Sequence, residues 1–272
     1  MYEACPSRQA LMLSKENIDM SEAPLLQKRS GKLLQLQFNR PASLNAIDSA
    51  MAGAFLQAVT DAVADESIRV IILSGAGRSF MAGGDIAQFS RDPQSIPQSL
   101  IEPMNQAIRL LGSSDKIVLG SVQGPVAGAG MSLALTCDLL IAADNTRFSF
   151  AYTALAASGD QGISWSLPRL LGLRNAMAVA LLGDSIKADE AQRLGLVNRV
   201  VEAEQLTEQT LALAEQLAEL PTLAAASIKR LMQAALHQDL SSQLDAEKQA
   251  FSQCIEQPDF HAAVDGFLAK RK

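Results

Sequence analysis

The residues best suited to chemistry lie in two glycine-rich stretches. Phe80-Met81-Ala82-Gly83-Gly84-Asp85-Ile86 follows the apolar run Val70-Ile71-Ile72-Leu73, and Gly124-Pro125-Val126-Ala127-Gly128-Ala129-Gly130 follows Ile117-Val118-Leu119. Both runs have the length and content of buried strands. Glycine at such places permits positive φ and close approach of another molecule, so two turns can aim exposed N–H groups at one negative oxygen. Met131-Ser132-Leu133-Ala134-Leu135 then reads as a first helical turn, which adds the positive end of a helix dipole. Oxyanion binding is the chemistry this pattern allows. Taken singly, each stretch reads equally well as a tight strand-to-helix connection. Neither contains G-x-G-x-x-G or G-x-x-x-x-G-K-[ST], which disfavours a dinucleotide or triphosphate cradle.

A third feature is Asp160, an ionisable residue between Gly159 and Gln161-Gly162 in a run of small residues from Tyr152 to Ser164. On residue type alone it reads first as a loop residue capping a helix that starts near Ser164.

The elements that must position these residues follow from periodicity. Leu25 to Arg29 and the alternating Leu34-Gln35-Leu36-Gln37-Phe38 flank a turn at Ser30-Gly31 and predict a β-hairpin with one buried face. Met51, Phe55, Val59 and Val63 recur at helical spacing between Ser49 and Ala64, ahead of a strand at 69–73. Arg91 to Gln98, with Pro93 and Pro97, reads as irregular chain that could cover a pocket. A helix from about Leu100 to Leu111, a strand at 117–122, a helix ending near Thr136 and a strand at 139–141 continue the rhythm. Helical segments at Ser166–Leu171, Asn175–Leu182 and Ala188–Leu194 and a strand at Asn198–Val201 close the α/β part. The alternation predicts a parallel sheet with helices outside it, or a spiral of β–β–α turns. Beyond Ala203 the chain reads as helical, broken by Pro221 and Pro258. Its apolar faces, Leu206, Leu211 and Leu217 and then Ile228, Leu231 and Leu236, suit subunit contact or packing on the main domain.

The whole chain bounds the answer further. Its 272 residues can bury a large core, and 48% apolar against 19% charged residues describes a globular protein. A net charge of −6 gives no support to a nucleic-acid or anionic-membrane surface. Cys5, Cys137 and Cys254 stand far apart and only His237 and His261 could join them, so no metal site is expected. No apolar stretch approaches the ~18–20 residues of a membrane span, and Met1 to Met20 lacks a signal pattern. A soluble cytoplasmic protein is the expectation.

Asn39-Arg40-Pro41 with Leu44-Asn45-Ala46, the two glycine stretches, Cys137-Asp138, and Leu194-Gly195-Leu196-Val197 together resemble the crotonase superfamily, the enoyl-CoA hydratase/isomerase family. The likeness runs from about residue 25 to the end. It implies an α/β fold with a ββα-spiral core over 24–202, preceded by a loose extension over 1–23. A C-terminal helical region over 203–272 would build trimers or paired trimers and cover the active site. It also implies an acyl-CoA thioester as substrate, no cofactor beyond that CoA, and an oxyanion hole formed by the Gly84 and Ala129 N–H groups. Ala46, Ala82, Asp85, Ile86, Val126, Gly128, Ser132 and Tyr152 would surround the thioester. Asp85 also reads as a turn-ordering residue, and Asp138 as a cap or brace of the core.

Hydratases of the family use two glutamates, and the matching positions here are Ser132 and Tyr152. Neither supplies the carboxylate base that water addition needs. Asp160 resembles the lone catalytic aspartate of isomerases of the phenylacetate-degradation branch and of Δ3,Δ2-enoyl-CoA isomerases, which implies an isomerase with one acid/base. Tyr152 would line the acyl pocket or hydrogen-bond to Asp160, and reads equally well as a plain packing tyrosine. Dehalogenases of the family also place an aspartate here but add a histidine and a tryptophan, where this chain has Asn105 and Tyr152. A ring-thioester isomerase and a non-catalytic acyl-CoA binder are the other readings left by the loss of both glutamates. Lys229, Arg230 and Lys270 to Lys272 read as solvated cations or as ligands of the CoA 3′-phosphate, Trp165 as helix packing, and Cys137 as buried and inert.

Overall fold

The computed structural model describes residues 23–270, so nearly all of the 1–23 extension, and Arg271 and Lys272, lie outside the described residues. Strands β1 (Leu25–Ser30) and β2 (Leu33–Phe38) form the expected hairpin, with Leu25 opposite Phe38. Helix α1 (Ser49–Ala64) is capped by Asp48, whose carboxylate accepts from Met51 N–H, and it buries Met51, Phe55 and Val59 at helical spacing. Next come β3 (Val70–Gly75), α2 (Ile86–Arg91), a π-helical turn (Pro97–Ile101) leading into α3 (Glu102–Ser113), β4 (Ile117–Val122), β5 (Pro125–Ala127) and α4 (Ala129–Ala134). Then follow β6 (Leu139–Ala143), β7 (Arg147–Ser149), α5 (Ile163–Leu171), α6 (Leu173–Leu182), β8 (Ile186–Lys187), α7 (Ala188–Arg193) and β9 (Arg199–Val201). The tail holds α8 (Leu206–Ala218), α9 (Thr222–Ala234), α10 (Leu240–Ile255) and α11 (Pro258–Ala269).

The main sheet has the order β1-β2-β3-β4-β6-β9, parallel except for the first pair, and a small sheet joins β5, β7 and β8. Single bridges between Ile47 and Gly84 and between Met81 and Val126 extend the small sheet. Each turn of the chain thus lays one strand in the main sheet and a shorter one in the small sheet, then adds a helix. β4, β5 and α4 are one such turn, and β3, the Met81–Gly84 stretch and α2 are another. This is the ββα spiral of the crotonase fold.

Strand alternation sorts the main sheet into two faces. Leu34, Leu36, Phe38, Ile71 and Leu73 pack under α1 and α3 in the large core. Leu33, Val70, Ile72, Leu119 and Ile141 point the other way and meet Leu206, Ala214 and Ala218 of α8.

Several elements depart from the sequence expectation. Arg91 to Gln98 is irregular only over 92–95, because Asp85 caps a helix that reaches Arg91 and the π-helical turn begins at Pro97. Residues 124–130 contain strand β5, and β5, β7 and β8, of two or three residues each, carry too little periodicity to be seen. Helix α4 stops at Ala134 rather than near Thr136. The tail breaks a further time between Ala234 and Leu240 with no proline there, where Asp239 caps α10. Helix α8 lies on the face of the sheet away from α1. Ile228, Met232, Leu236, Leu240, Phe251 and Phe267 of the tail are exposed in the single chain. Among the described residues no helix is long and apolar enough to cross a membrane.

Candidate active site

The two glycine stretches meet backbone to backbone. A Cβ built on Gly128, whose φ is +50°, would stand 3.6 Å from Gly83 Cα, and one built on Gly83, φ +110°, would stand 3.4 Å from Ala127 O. Ladder bonds hold the approach: Ala127 N–H donates to Met81 O at 3.0 Å, and Gly128 N–H to Ser149 O at 3.0 Å. Ile47 N–H donates to Gly83 O and Ile47 O accepts from Asp85 N–H, each at 2.8 Å. In a parallel bridge those bonds turn the polar groups of the residue between, Gly84, away from the neighbour. Among the described residues neither the Gly84 N–H nor the Ala129 N–H has a protein acceptor. Two adjacent strand-end turns therefore each leave one donor free, as an oxyanion hole requires. The short α4 makes the dipole contribution smaller than its sequence suggested.

A polar clamp fixes the first turn. Arg40 donates to Asp85 at 2.8 Å and to Ala46 O at 2.5 Å, and also faces Asp48 at 3.2 Å. Asp85 accepts from Ala87 N–H at 2.9 Å, so it caps α2, and the Arg40 guanidinium holds its carboxyl below the usual range. The buried Asn45, at φ +57°, receives Arg40 N–H and donates to Ala76 O and Ser79 O. Asp85 therefore orders its turn. The residue types of Arg40 and Asn45 alone point to no such role, and their signal in the sequence is the Asn39-Arg40-Pro41 and Leu44-Asn45-Ala46 pair of motifs.

The remaining site residues are brought together unequally. Ala82 N–H is used on Leu44 O at 3.0 Å, and Val126 is buried in the bridge to Met81. Ala46 is half-buried, tied by its carbonyl to Arg40, and Ile86 is exposed at the rim. Phe89 of α2 lies against the Gly84 α-carbon, where a Cβ would run into its ring.

Ser132, Tyr152 and Asp160 form a second cluster. Ser132 is fully buried in α4 and its hydroxyl lies 2.8 Å from Tyr152 Oη, which donates to Asp160 Oδ1 at 2.5 Å. The bond to Asp160 that the sequence allows for Tyr152 is present in the fold. Phe150 packs edge-on to the Tyr152 ring at 5.1 Å. Burial, the larger effect, pushes the Asp160 carboxyl above its ordinary value, and the Tyr152 bond partly opposes it. Burial and then the neighbouring Asp160 charge push the Tyr152 phenol up, so it stays protonated as a donor. Ala151, Ala156 and Gln161 all have φ between +52° and +55°, so backbone strain collects around Tyr152 and Asp160. Asp160 does not cap α5 by side chain; Gly162 takes that position.

Other candidates lie elsewhere. Lys229 is buried against Asp138 at 2.9 Å rather than solvated or free for a phosphate, because its ammonium also donates to Leu111 O and Lys116 O. Arg230 pairs with Asp115 on the surface. Asp138 braces the core, accepting from Val118 N–H at 2.8 Å. Trp165 is partly exposed but does pack between helices, its ring 5.9 Å from that of His237 in the tail and the Arg169 guanidinium 4.1 Å from its centroid. Burial pushes the Cys137 thiol up, which keeps it un-ionised. A cavity of about 400 Å³ lined by Gln35, Ser74, Ser121 and Thr210 lies on the α8 side of the sheet and shares no residue with this site. Among the described residues no three His, Cys, Asp or Glu side chains group to hold a metal.

The chain is similar to known proteins over most of its length. The family model described as enoyl-CoA hydratase/isomerase matches residues 28–272. The 1,2-epoxyphenylacetyl-CoA isomerase of Escherichia coli K12 is 35% identical over 243 residues, 88% of this chain and 93% of its own. A probable enoyl-CoA hydratase of Rhodobacter capsulatus is 33% identical over 88% of this chain and 92% of its own. The crystal structure of an enoyl-CoA hydratase from Polaromonas sp. JS666 superposes with a TM-score of 0.86 at 32% identity, over 90% of this chain and 97% of that one.

Proposed function

The chain belongs to the enoyl-CoA hydratase/isomerase family of the crotonase superfamily, and from that premise we propose that it is an acyl-CoA isomerase with one carboxylate as acid and base. The observation that carries this reading is the Ser132–Tyr152–Asp160 cluster. Where the family's hydratases have two glutamates, this chain has two hydroxyls bonded to each other, and the carboxylate in reach is Asp160, bonded to the second of them.

One carboxylate suffices for a double-bond shift. Asp160 as carboxylate takes a proton from C2 of a 3-enoyl thioester, and the C–H electron pair passes through the thioester carbonyl to give a dienolate. The Gly84 and Ala129 N–H groups receive the oxyanion, and a donor of this kind lowers the barrier by ~3 kcal/mol. The neutral Asp160 returns the proton at C4, leaving a 2-enoyl thioester. The raised carboxyl pKa brings the base nearer the working pH than an ordinary aspartate. This route uses no cofactor beyond the CoA of the substrate. Hydration would need a second group to activate water, and neither Ser132 nor Tyr152 can supply a carboxylate there. The exposed apolar side chains of the tail support assembly into a homotrimer or a dimer of trimers.

The test is incubation with 3-hexenoyl-CoA and, separately, 2-hexenoyl-CoA in deuterated water, with products followed by mass spectrometry. The expected result is 2-enoyl ester from the first substrate and no hydroxyacyl ester from either. A hydroxyacyl product would overturn the reading. Asp160→Asn is expected to stop turnover while thioester affinity stays, and equal loss of both would remove Asp160 from the chemistry.

A further inference from the structure

Ser132 has one proton and two acceptors competing for it. Its hydroxyl donates to Gly128 O at 3.2 Å and lies 2.8 Å from Tyr152 Oη, whose own proton goes to Asp160. Gly128 C=O and Ala129 N–H are the two ends of one peptide group. A hydrogen bond accepted at a peptide oxygen polarises that group and strengthens its N–H as a donor. Ser132 is fully buried and Tyr152 is 8% exposed, so water does not replace either partner.

We infer that Tyr152 and Ser132 are positioning residues that couple the charge on Asp160 to the donor strength of the Ala129 N–H, an inference that rests on the roles given to Asp160 and Ala129 above. While Asp160 is ionised, the anion fixes the Tyr152 proton, and the Tyr152 oxygen draws the Ser132 proton away from Gly128. Once Asp160 has taken the C2 proton on its other oxygen, the pull on Tyr152 weakens and the Ser132 proton turns to Gly128 O. No covalent bond in the chain breaks; only hydroxyl protons rotate. The Ala129 N–H is then at its strongest when the enolate oxygen carries its charge, and it relaxes when the proton returns to carbon. A pair of hydroxyls that only filled the space of two carboxylates would have no such effect.

The test uses the full-length protein and acetoacetyl-CoA, whose doubly activated C2 ionises to an enolate with its own near-ultraviolet band, so the readout needs no turnover. Ser132→Ala is expected to lower the bound enolate fraction about tenfold, one hydrogen bond's worth, with affinity for butyryl-CoA changed less than twofold. Tyr152→Phe releases the Ser132 proton to Gly128 and is expected to keep or raise the enolate fraction. In an Asp160→Asn background, where no anion competes, Ser132→Ala is expected to cost a larger factor than in the wild type. Equal factors in the two backgrounds, or a fall in both single variants, overturn the coupling while leaving the isomerase reading intact. A wild-type protein that forms no enolate overturns the oxyanion hole, and with it both.

Discussion

Tyr152 Oη donates to Asp160 Oδ1 at 2.5 Å within a site whose burial raises that carboxyl's pKa. The two effects oppose each other, and burial is the larger. The acid limb of kcat/KM against pH, measured with 3-hexenoyl-CoA, is therefore expected above the ~4 of an unperturbed aspartate. Removing the phenol removes the opposing effect. In Tyr152→Phe the limb is expected to move to still higher pH, and a shift downward would contradict the direction given to the Tyr152 bond, whereas a wild-type limb at or below ~4 would contradict the ranking of the two causes.

The same raised pKa has a cost in stability. Between the unfolded pKa, ~4, and the higher folded value, the native state holds more protons than the unfolded chain, so unfolding free energy falls as pH rises through that window. Asp160→Asn removes the charge that burial disfavours. Thermal unfolding at pH 7 is expected to show the inactive variant melting above the wild type, with the gain disappearing below pH ~4. A variant less stable at pH 7 would mean that the carboxylate contributes more as an acceptor for Tyr152 than it costs as a buried charge.

Glycines in the two turns separate function from fit. A Cβ on Gly130 would overlap the Met81 backbone oxygen, which cannot move without opening the bridge between the glycine stretches. Gly130→Ala is expected to cost about 3 kcal/mol or more, as overpacking against rigid backbone does. At Gly84 the obstacle is the far end of the Phe89 side chain, and the N–H remains. Gly84→Ala is expected to fold with a loss of ~1 kcal/mol and to stay well short of the ~100-fold fall in kcat that follows loss of an oxyanion donor. Denaturant melts and single-substrate kinetics on both variants check the contrast.

Long periodic elements were legible in the sequence because burial of one face writes itself into residue type: β1, β2 and α1 fall where the pattern of Leu34, Leu36, Met51 and Phe55 puts them. Strands β5, β7 and β8 were not, since two or three residues make no period. The roles proposed for Gly84, Ala129 and Asp160 rest on motif resemblance, and pairings such as Ile47 with Gly84 join distant segments in a way no single motif shows. Arg40 shows the limit on the other side. Ala46 and Asp48 are near it in the chain but Asp85 is 45 residues away, and residue type alone gives an arginine no direction.

Lys229 carries the clearest departure from expectation and a test that separates the two readings. As a surface cation near the CoA phosphate, its loss would raise KM and leave the melting temperature alone. In the fold its side chain is 7% exposed, and its three donors are used on Asp138 at 2.9 Å, Leu111 O at 3.0 Å and Lys116 O at 2.7 Å. These bonds tie α9 to the end of α3 and to the entry of β4, while Asp138 itself holds Val118 N–H. Lys229→Met removes the counter-charge from a largely buried carboxylate and takes a donor from the Lys116 carbonyl, while Leu111 O keeps the Ser114 hydroxyl. Breaking one partner of such a pair costs about 3–5 kcal/mol, which corresponds to a fall of roughly 10 °C in melting temperature for a domain of this size. KM for the thioester is expected to stay within about twofold, because nothing in the Lys229 contacts reaches Gly84, Ala129 or Asp160 and binding free energies of distant sites are nearly independent. A raised KM at unchanged melting temperature would return Lys229 to the surface role its sequence suggested.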